Sequence, residues 1–269
     1  MEDRVSISIA DGIADVRLVR ADKMNALDQA MFEALVAATD RLSREKAVRV
    51  VVLSGEGRAF CAGLDMGRFA AMEKSGNGVP GGESRDLSRR THGQANFPQQ
   101  AVWGWRQLPV PVIAAITGVA FGGGFQLALG ADIRLMAPDA RMSIMEIKWG
   151  LVPDMAGTPI LASLVRDDIL RELTYTGRIF SAQEALGYGL ATRVVDDPRA
   201  AAMEMAREIA GKSPHAIRAA KRMMNNLSVD PGPALLAESV EQQKLLGSPN
   251  QIEAVRANME KRAPRFTEV

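Results

Sequence analysis

The residues best suited to chemistry lie in a glycine-rich stretch near the middle of the chain. Gly118 is followed by consecutive glycines at 122–124, and no charged residue stands between Arg106 and Asp132. Glycine permits positive φ and lets the backbone approach a ligand closely. A helix that begins at such a loop presents unpaired N–H groups with a partial positive charge. The stretch could therefore hold an anion, or an oxygen that becomes anionic during a reaction.

Three other interpretations of this stretch are open. Its uncharged length would fit a membrane span, but Pro109, Pro111 and the glycines disfavour a spanning helix. The spacing differs from a dinucleotide-binding loop, because Leu127 stands where the third glycine belongs, and no Gly-Lys pair closes it as in a P-loop. A tight turn with a purely structural purpose is the third alternative.

The glycines join two elements that the neighbouring residues predict. Residues 112–117 form an apolar run typical of a buried strand, and residues 125–131 follow as a short helix. Near the N-terminus, alternating segments at 5–9 and 13–19 flank Asp11 and Gly12, which is typical of a hairpin. Strands, turns and helices alternate in this way along most of the chain, which indicates an α/β fold.

After residue 198 the pattern becomes helical. Proline marks the first turn of several of the expected helices. They are predicted at 199–211, 214–225, 231–246 and 249–261. We divide the chain accordingly into a core at 1–198 and a helical region at 199–269. Within the core, residues 74–98 are rich in glycine and arginine, and we expect a mobile or inserted loop there.

Composition disfavours several classes of function. The 269 residues, 47% of them hydrophobic, suffice for one large domain with a helical appendage. A net charge of +1 and few aromatic residues argue against a nucleic-acid partner. A single cysteine, Cys61, excludes an internal disulfide framework, and His92 and His215 lack the spacing of a zinc site. The charged N-terminus has no signal-peptide core, so we expect a cytoplasmic protein, with the mitochondrial matrix as the alternative.

Several further motifs occur along the chain. They are Asn25-Ala-Leu27, Phe60-Cys-Ala-Gly-Leu-Asp65, Gly118-x3-Gly-Gly-Gly-x2-Leu-Ala128, Met145-Glu-Ile147, Gly150-Leu-Val-Pro153 and Ser181-Ala-Gln-Glu-Ala-Leu-Gly-Tyr-Gly-Leu190. Together, in this order and spacing, they closely resemble the crotonase (enoyl-CoA hydratase/isomerase) superfamily over nearly the whole chain. The resemblance implies a crotonase-like spiral of stacked β-β-α turns with a helical C-terminal trimerisation region, assembled as a homotrimer or a hexamer. It also implies an acyl-CoA thioester substrate and no separate cofactor, because CoA is part of the substrate.

The resemblance also implies an oxyanion hole. In the family, two backbone N–H groups hold the thioester oxygen as an enolate, and their motif positions here are Leu64 and Gly123. Each preorganised donor of this kind typically contributes about 3 kcal/mol in the transition state. The backbone around Ala62 is expected to meet the adenine, and Lys23 and Arg68 the phosphates of CoA. The implied substrate-binding residues are Lys23, Ala62, Gly63, Asp65, Arg68 and Gly122.

The acid/base positions depart from those of ordinary hydratases, which carry two glutamates that share the catalytic water. Those positions hold Gln126 and Glu146 here. Gln126 forms hydrogen bonds but takes no proton at neutral pH, whereas Glu146 can do so if apolar surroundings raise its pKa. A lone glutamate at this place resembles the Δ3,Δ2-enoyl-CoA isomerase branch, so we expect isomerase-like proton transfer by Glu146.

Asp154 is a second acid/base candidate. Dienoyl-CoA isomerases resemble the chain in having an aspartate there, although a turn residue that caps the next helix is an equal alternative. Other functions stay open: a hydratase in which Gln126 or Asp154 positions water for Glu146, or a non-catalytic acyl-CoA-binding relative. An RNA-binding relative lacks support in the charge balance. Cys61 has no activating histidine in the motif segments, which favours a packing role.

Overall fold

The computed structural model describes residues 4–75, 86–225, 231–262 and 265, so residues 76–85 of the expected 74–98 loop lie outside the described part. Its strands form two sheets. The strands are β1 (Val5–Ala10), β2 (Ile13–Leu18), β3 (Val50–Gly55), β4 (Val112–Ile116), β5 (Val119–Phe121), β6 (Ile133–Met136), β7 (Arg141–Ser143), β8 (Phe180–Ser181) and β9 (Arg193–Val194).

The large sheet has the order β1-β2-β3-β4-β6-β9, and the small sheet has the order β5-β7-β8. The β1–β2 hairpin is antiparallel, as predicted, and turns at Asp11 and Gly12, both at positive φ. The remaining neighbours in the large sheet are parallel. Because β4 leads into β5 and β6 into β7, successive turns of the chain place one strand in each sheet, which is how a β-β-α spiral is built.

Helices cover the sheets and form the C-terminal region. They are α1 (Gln29–Arg44), α2 (Met66–Ser75), α3 (Phe97–Gln107), α4 (Gly123–Leu129), α5 (Gly157–Leu161), α6 (Asp167–Thr176), α7 (Ala182–Gly187), α8 (Pro198–Ala210), α9 (Pro214–Asn225), α10 (Gly232–Leu245) and α11 (Pro249–Met259), with 3₁₀ helices at Ala21–Lys23 and Glu146–Trp149. None of the described helices is both long and apolar enough to cross a bilayer.

Local capping signals explain where several helices begin. The Asp28 carboxylate accepts a hydrogen bond of 2.8 Å from the Met31 N–H, which starts α1. Ser181 and Glu184 form a capping box at α7. These side chains satisfy N–H groups that a helix leaves unpaired in its first turn, so the boundaries follow from the sequence alone.

The core lies between the large sheet and the helices. Every residue of β4 is buried, and α1 and α3 pack together beside the sheet. On the other face, Ala202, Ala206 and Ala210 of α8 pack against the strands. Helix α8 therefore contacts the core directly, and the predicted division at residue 198 stays a prediction.

Helix α9 is attached to the core by a buried ion pair. Lys221 donates to Asp132 Oδ2 and to the Val110 carbonyl, both at 2.8 Å. The same Asp132 oxygen accepts from the Val112 N–H at 2.8 Å. A lone buried charge would be costly, so each partner depends on the other. The contacts meet at the start of β4, the strand that leads into the glycine loop.

Candidate active site

The two glycine-bearing loops lie side by side and are joined by backbone hydrogen bonds. Cys61 N–H donates to the Val119 carbonyl at 3.0 Å, and Phe121 N–H donates to the Cys61 carbonyl at 3.1 Å. This parallel pairing brings residues 62–64 next to residues 122–124. Two motifs about sixty positions apart in the sequence therefore form one structure.

Close backbone contact explains why glycine is required at two positions of this structure. Gly63 has φ +89°, and a Cβ there would lie 2.5 Å from the Phe121 carbonyl oxygen. A Cβ on Gly124 would lie 2.3 Å from the Cys61 carbonyl oxygen. Any side chain at these sites would push the loops apart, because such distances are far below van der Waals contact.

The backbone N–H groups of Leu64 and Gly123 have no acceptor within the described part of the chain. Neighbouring amides are occupied, because Asp65 N–H donates to the Leu27 carbonyl and Gly122 N–H to the Ser143 carbonyl. Gly123 is also the first residue of α4, where the helix leaves its N–H groups free. Both residues line the same cavity. Two unpaired donors at one cavity are what an oxyanion hole requires, and that role for Leu64 and Gly123 stays a prediction.

The cavity has a volume of about 720 Å³, within the range of pockets for small-molecule ligands. Much of its wall is apolar. The apolar residues include Phe32, Phe69, Trp149, Leu151, Met155 and Leu246. The rings of Phe69 and Trp149 stack at a centroid distance of 4.1 Å. Such a wall suits a hydrocarbon chain and excludes water from the polar groups at its centre.

Glu146 and Gln126 form a buried pair at this centre. Gln126 Oε1 accepts hydrogen bonds from Met155 N–H at 2.9 Å and Gly157 N–H at 3.0 Å. These contacts set the orientation of the amide, so Nε2 donates to Glu146 Oε1 at 2.7 Å. The other carboxylate oxygen, Oε2, is buried and has no partner among the described residues. Oε2 is therefore the carboxylate oxygen that the described residues leave without a hydrogen bond.

Burial raises the pKa of Glu146 to about 7, from an ordinary value of 4.5. The hydrogen bond from Gln126 opposes the increase, and the nearby charge of Asp154 adds to it. A carboxyl group with a pKa near neutrality can both accept and return a proton at working pH. The sequence expectation of a raised pKa is thus met in direction and cause.

Asp154 lies in the same cavity and is partly buried. Burial raises its pKa to about 7, while a hydrogen bond with Gln242 and the charge of Arg68 oppose the rise. The N-cap of the following helix, α5, is Ala156, two residues after Asp154. Both roles considered for Asp154, an acid/base group and a turn residue at the start of this helix, stay predictions.

Comparisons with known proteins identify the family of the chain. A family model described as enoyl-CoA hydratase/isomerase matches residues 8–269. The chain belongs to the enoyl-CoA hydratase/isomerase family. It is 32% identical to the mitochondrial methylglutaconyl-CoA hydratase of Mus musculus, over 95% of this chain and 79% of that protein. It is 31% identical to the 1,2-epoxyphenylacetyl-CoA isomerase of Escherichia coli, over 96% of both chains.

The fold comparison gives the same result. A crystal structure of an enoyl-CoA hydratase/isomerase described as putative, from Acinetobacter baumannii, superposes with a TM-score of 0.85 at 25% identity, covering 96% of this chain and 100% of that one. The crotonase-like α/β fold that the motifs implied is therefore confirmed. The protein is an enzyme of the enoyl-CoA hydratase/isomerase family, and members of that family act on acyl-CoA thioesters.

The structure brings the predicted site residues of this family member together. All of them except Gln126 line the cavity, and Gln126 is buried behind Glu146. Asp65 binds Arg20 at 2.6 Å, and Lys23 is exposed in the 3₁₀ helix at the cavity wall. Their individual roles stay predictions.

Two residues of the cavity wall lie outside the sequence motifs. Gln242 and Leu246, from α10 and its end, complete the cavity wall. No local signal marks these residues, because their position depends on how the C-terminal helices pack. Cys61, by contrast, behaves as expected of a packing residue: it is buried, which raises the pKa of its thiol to about 12, and its Sγ donates to the Asn25 carbonyl.

Proposed function

We propose that this enzyme moves a proton on an acyl-CoA thioester and that Glu146 carries the proton. The observation that supports this most directly is the buried Glu146 carboxyl group, which binds Gln126 through one oxygen and has no partner among the described residues on the other. It lies against the glycine loop, since a Cβ on Gly122 would be 3.4 Å from Glu146 Oε1. Base and oxyanion hole are therefore neighbours, as enolate chemistry requires.

In the proposed reaction the thioester oxygen binds between the Leu64 and Gly123 N–H groups. Glu146 removes a proton from C2 of a 3-enoyl-CoA, and the electron pair of the broken C–H bond delocalises onto the thioester oxygen as a dienolate. The protonated Glu146 then returns the proton to C4, and the double bond moves from C3–C4 to C2–C3. No atom is gained or lost, so a single carboxyl group completes the cycle.

Gln126 explains why we favour isomerisation over hydration by two glutamates. Its Oε1 is occupied by two backbone donors, and its Nε2 points to Glu146. An amide in this position stabilises the ionised carboxylate but cannot exchange a proton with water. Its role is to position Glu146 rather than to act as a second acid.

Hydration is the second candidate function, and Asp154 is the observation that favours it. Asp154 also has a pKa raised by burial to about 7, and its charge acts on Glu146. It could position a water molecule, or take a proton from it, as the water oxygen bonds to C3 of a 2-enoyl-CoA and C2 receives a proton from Glu146. The two relatives described above are named as a hydratase and an isomerase, so their names are compatible with either reaction.

The test is a set of assays on the purified protein with 2-enoyl- and 3-enoyl-CoA thioesters of short and medium chain length. The parent protein should convert 3-enoyl to 2-enoyl thioesters faster than it hydrates the latter. Glu146→Gln should reduce isomerisation by about a hundred- to ten-thousandfold, whereas Asp154→Asn should retain most of it. An active Glu146→Gln protein beside an inactive Asp154→Asn protein would make Asp154 the base. Turnover of no thioester, with tight binding retained, would support the non-catalytic alternative.

A further inference from the structure

We infer that the cavity selects acyl groups that carry a second, distal carboxylate, and that Arg68 is the residue that binds it. This inference rests on the proposed function, because it concerns the acyl part of the same substrate. It replaces the phosphate-binding role that the family resemblance suggested for Arg68.

The Arg68 guanidinium has few hydrogen-bond partners among the described residues. Its side chain lies over the ring of Phe32, with Cζ 5.4 Å from the ring centroid, and Nη1 donates to Gln29 Oε1 at 3.2 Å. The Nε atom is shielded from solvent and has no acceptor among the described residues. Burial lowers the pKa of Arg68 even though the charges of Asp154, Asp28 and Asp65 oppose that change, and none of these carboxylates forms a salt bridge with it in the part of the chain that the structure describes. Burying a cation without a hydrogen-bonded anion is energetically unfavourable. Binding an anionic ligand would therefore stabilise the Arg68 guanidinium.

The other cations of the cavity wall differ from Arg68. Arg20 is neutralised by Asp65 at 2.6 Å and Asp28 at 3.5 Å. Lys23 is exposed at the surface of the cavity wall. Of these three wall cations, Arg68 alone is both largely desolvated and without a carboxylate at bonding distance, so it has the strongest unmet attraction for an anion.

Arg68 lines the same cavity as Glu146 and Asp154. Its charge opposes the rise in the pKa of Asp154, and the charge of Asp154 in turn raises the pKa of Glu146. Arg68 is also one residue before Phe69, which stacks on Trp149 in the apolar wall. An acyl chain that extends from the oxyanion hole along this wall can therefore bring its far end to Arg68.

A carboxylate fits this position for chemical reasons. Arginine presents a planar set of donors that matches a carboxylate in a bidentate manner. Without Arg68, an anionic acyl group beside Glu146 and Asp154 would be repelled by these carboxylates when they are ionised. Selectivity for a carboxylated acyl group should thus depend on this one side chain, and should fall or reverse when its charge is removed.

The experiment measures dissociation constants by calorimetry with saturated, unreactive thioesters. Glutaryl-CoA is compared with pentanoyl-CoA, and adipoyl-CoA with hexanoyl-CoA, so that each pair differs only in the terminal carboxylate. The variant is Arg68→Met, which keeps an unbranched side chain of similar reach. Arg41→Met is the matched control, because Arg41 is exposed near the far end of α1, about 18 Å of helical rise from Gln29.

The parent protein should bind the carboxylated member of at least one pair about ten- to a hundredfold more tightly, the usual range for a charged hydrogen bond. Arg68→Met should abolish or reverse that preference, and Arg41→Met should keep it. Equal weakening of both members would mean that Arg68 binds a CoA phosphate and would overturn the inference, as would the absence of a preference in both pairs. Failure to bind any thioester would overturn the proposed function itself.

Discussion

Glu146→Gln should make the protein more stable at alkaline pH while removing its activity. The pKa of Glu146 is raised from 4.5 to about 7 by burial, which corresponds to about 3 kcal/mol at about 1.4 kcal/mol per pH unit. A raised pKa means that the folded state holds the proton more tightly than the unfolded state does. The parent therefore loses this free energy of unfolding as pH rises from about 4.5 to about 7.

Glutamine has the size of a protonated glutamate and can still accept from Gln126. We therefore expect parent and variant to be equally stable near pH 4.5, and the variant to be more stable by up to about 3 kcal/mol at pH 8. Urea unfolding at several pH values and one fixed protein concentration measures the difference. Activity on a 3-enoyl-CoA, assayed in parallel, should fall by about a hundred- to ten-thousandfold.

Glu204→Gln is the matched control, because Glu204 is exposed on α8 and its replacement should leave both stability and turnover close to the parent. The reasoning is refuted if the stability difference between Glu146→Gln and the parent is the same at pH 5 and pH 8. That result would mean that the carboxyl group ionises as freely in the folded chain as in the unfolded one.

Three other predictions follow from the same contacts. Gly123→Pro removes an oxyanion donor and should lower turnover about a hundredfold or more, whereas Gly123→Ala adds the same crowding against Leu27 and Met155 but keeps the N–H and should retain more activity. Full turnover in a folded Gly123→Pro protein would exclude the oxyanion role. Gln126→Glu should increase hydration of a 2-enoyl-CoA, measured as loss of enoyl absorbance; no increase would show that a second carboxylate does not suffice. Light scattering should show a trimer or a hexamer, because Leu236, Val240 and Met259 are exposed on the C-terminal helices; a monomer at micromolar concentration would contradict this.

The elements of the fold could largely be predicted because their signals are local. Asp28 caps α1, and the capping box that begins at Ser181 caps α7. The residues that determine each of these helix starts lie within four consecutive positions. Helix α3 begins at Phe97, inside the loop expected at 74–98. Asn96 and Gln99 form a capping box there, with Pro98 in the first turn. That signal was present in the sequence and could have been used.

The candidate site could be predicted only in part. The glycine loops and Glu146 could be proposed from the sequence because they belong to motifs whose order and spacing resemble those of a known family. The direction of the Arg68 side chain was not, because it depends on Phe32 and Gln29, which come from another helix. The same holds for Gln242, whose contact with Asp154 requires the C-terminal helices to be folded.

The contribution of α10 to the cavity wall has a consequence for how the enzyme is made. Gln242 is 88 positions after Asp154 in the chain, and ribosomes add roughly 5–20 residues per second. Asp154 and Glu146 are therefore synthesised on the order of ten seconds before the helix that completes their enclosure. During that interval the sheet and the two glycine loops can form, but the apolar wall stays open to solvent and to chaperones. The nascent chain becomes able to exclude water from its substrate only when its last helices have emerged and packed.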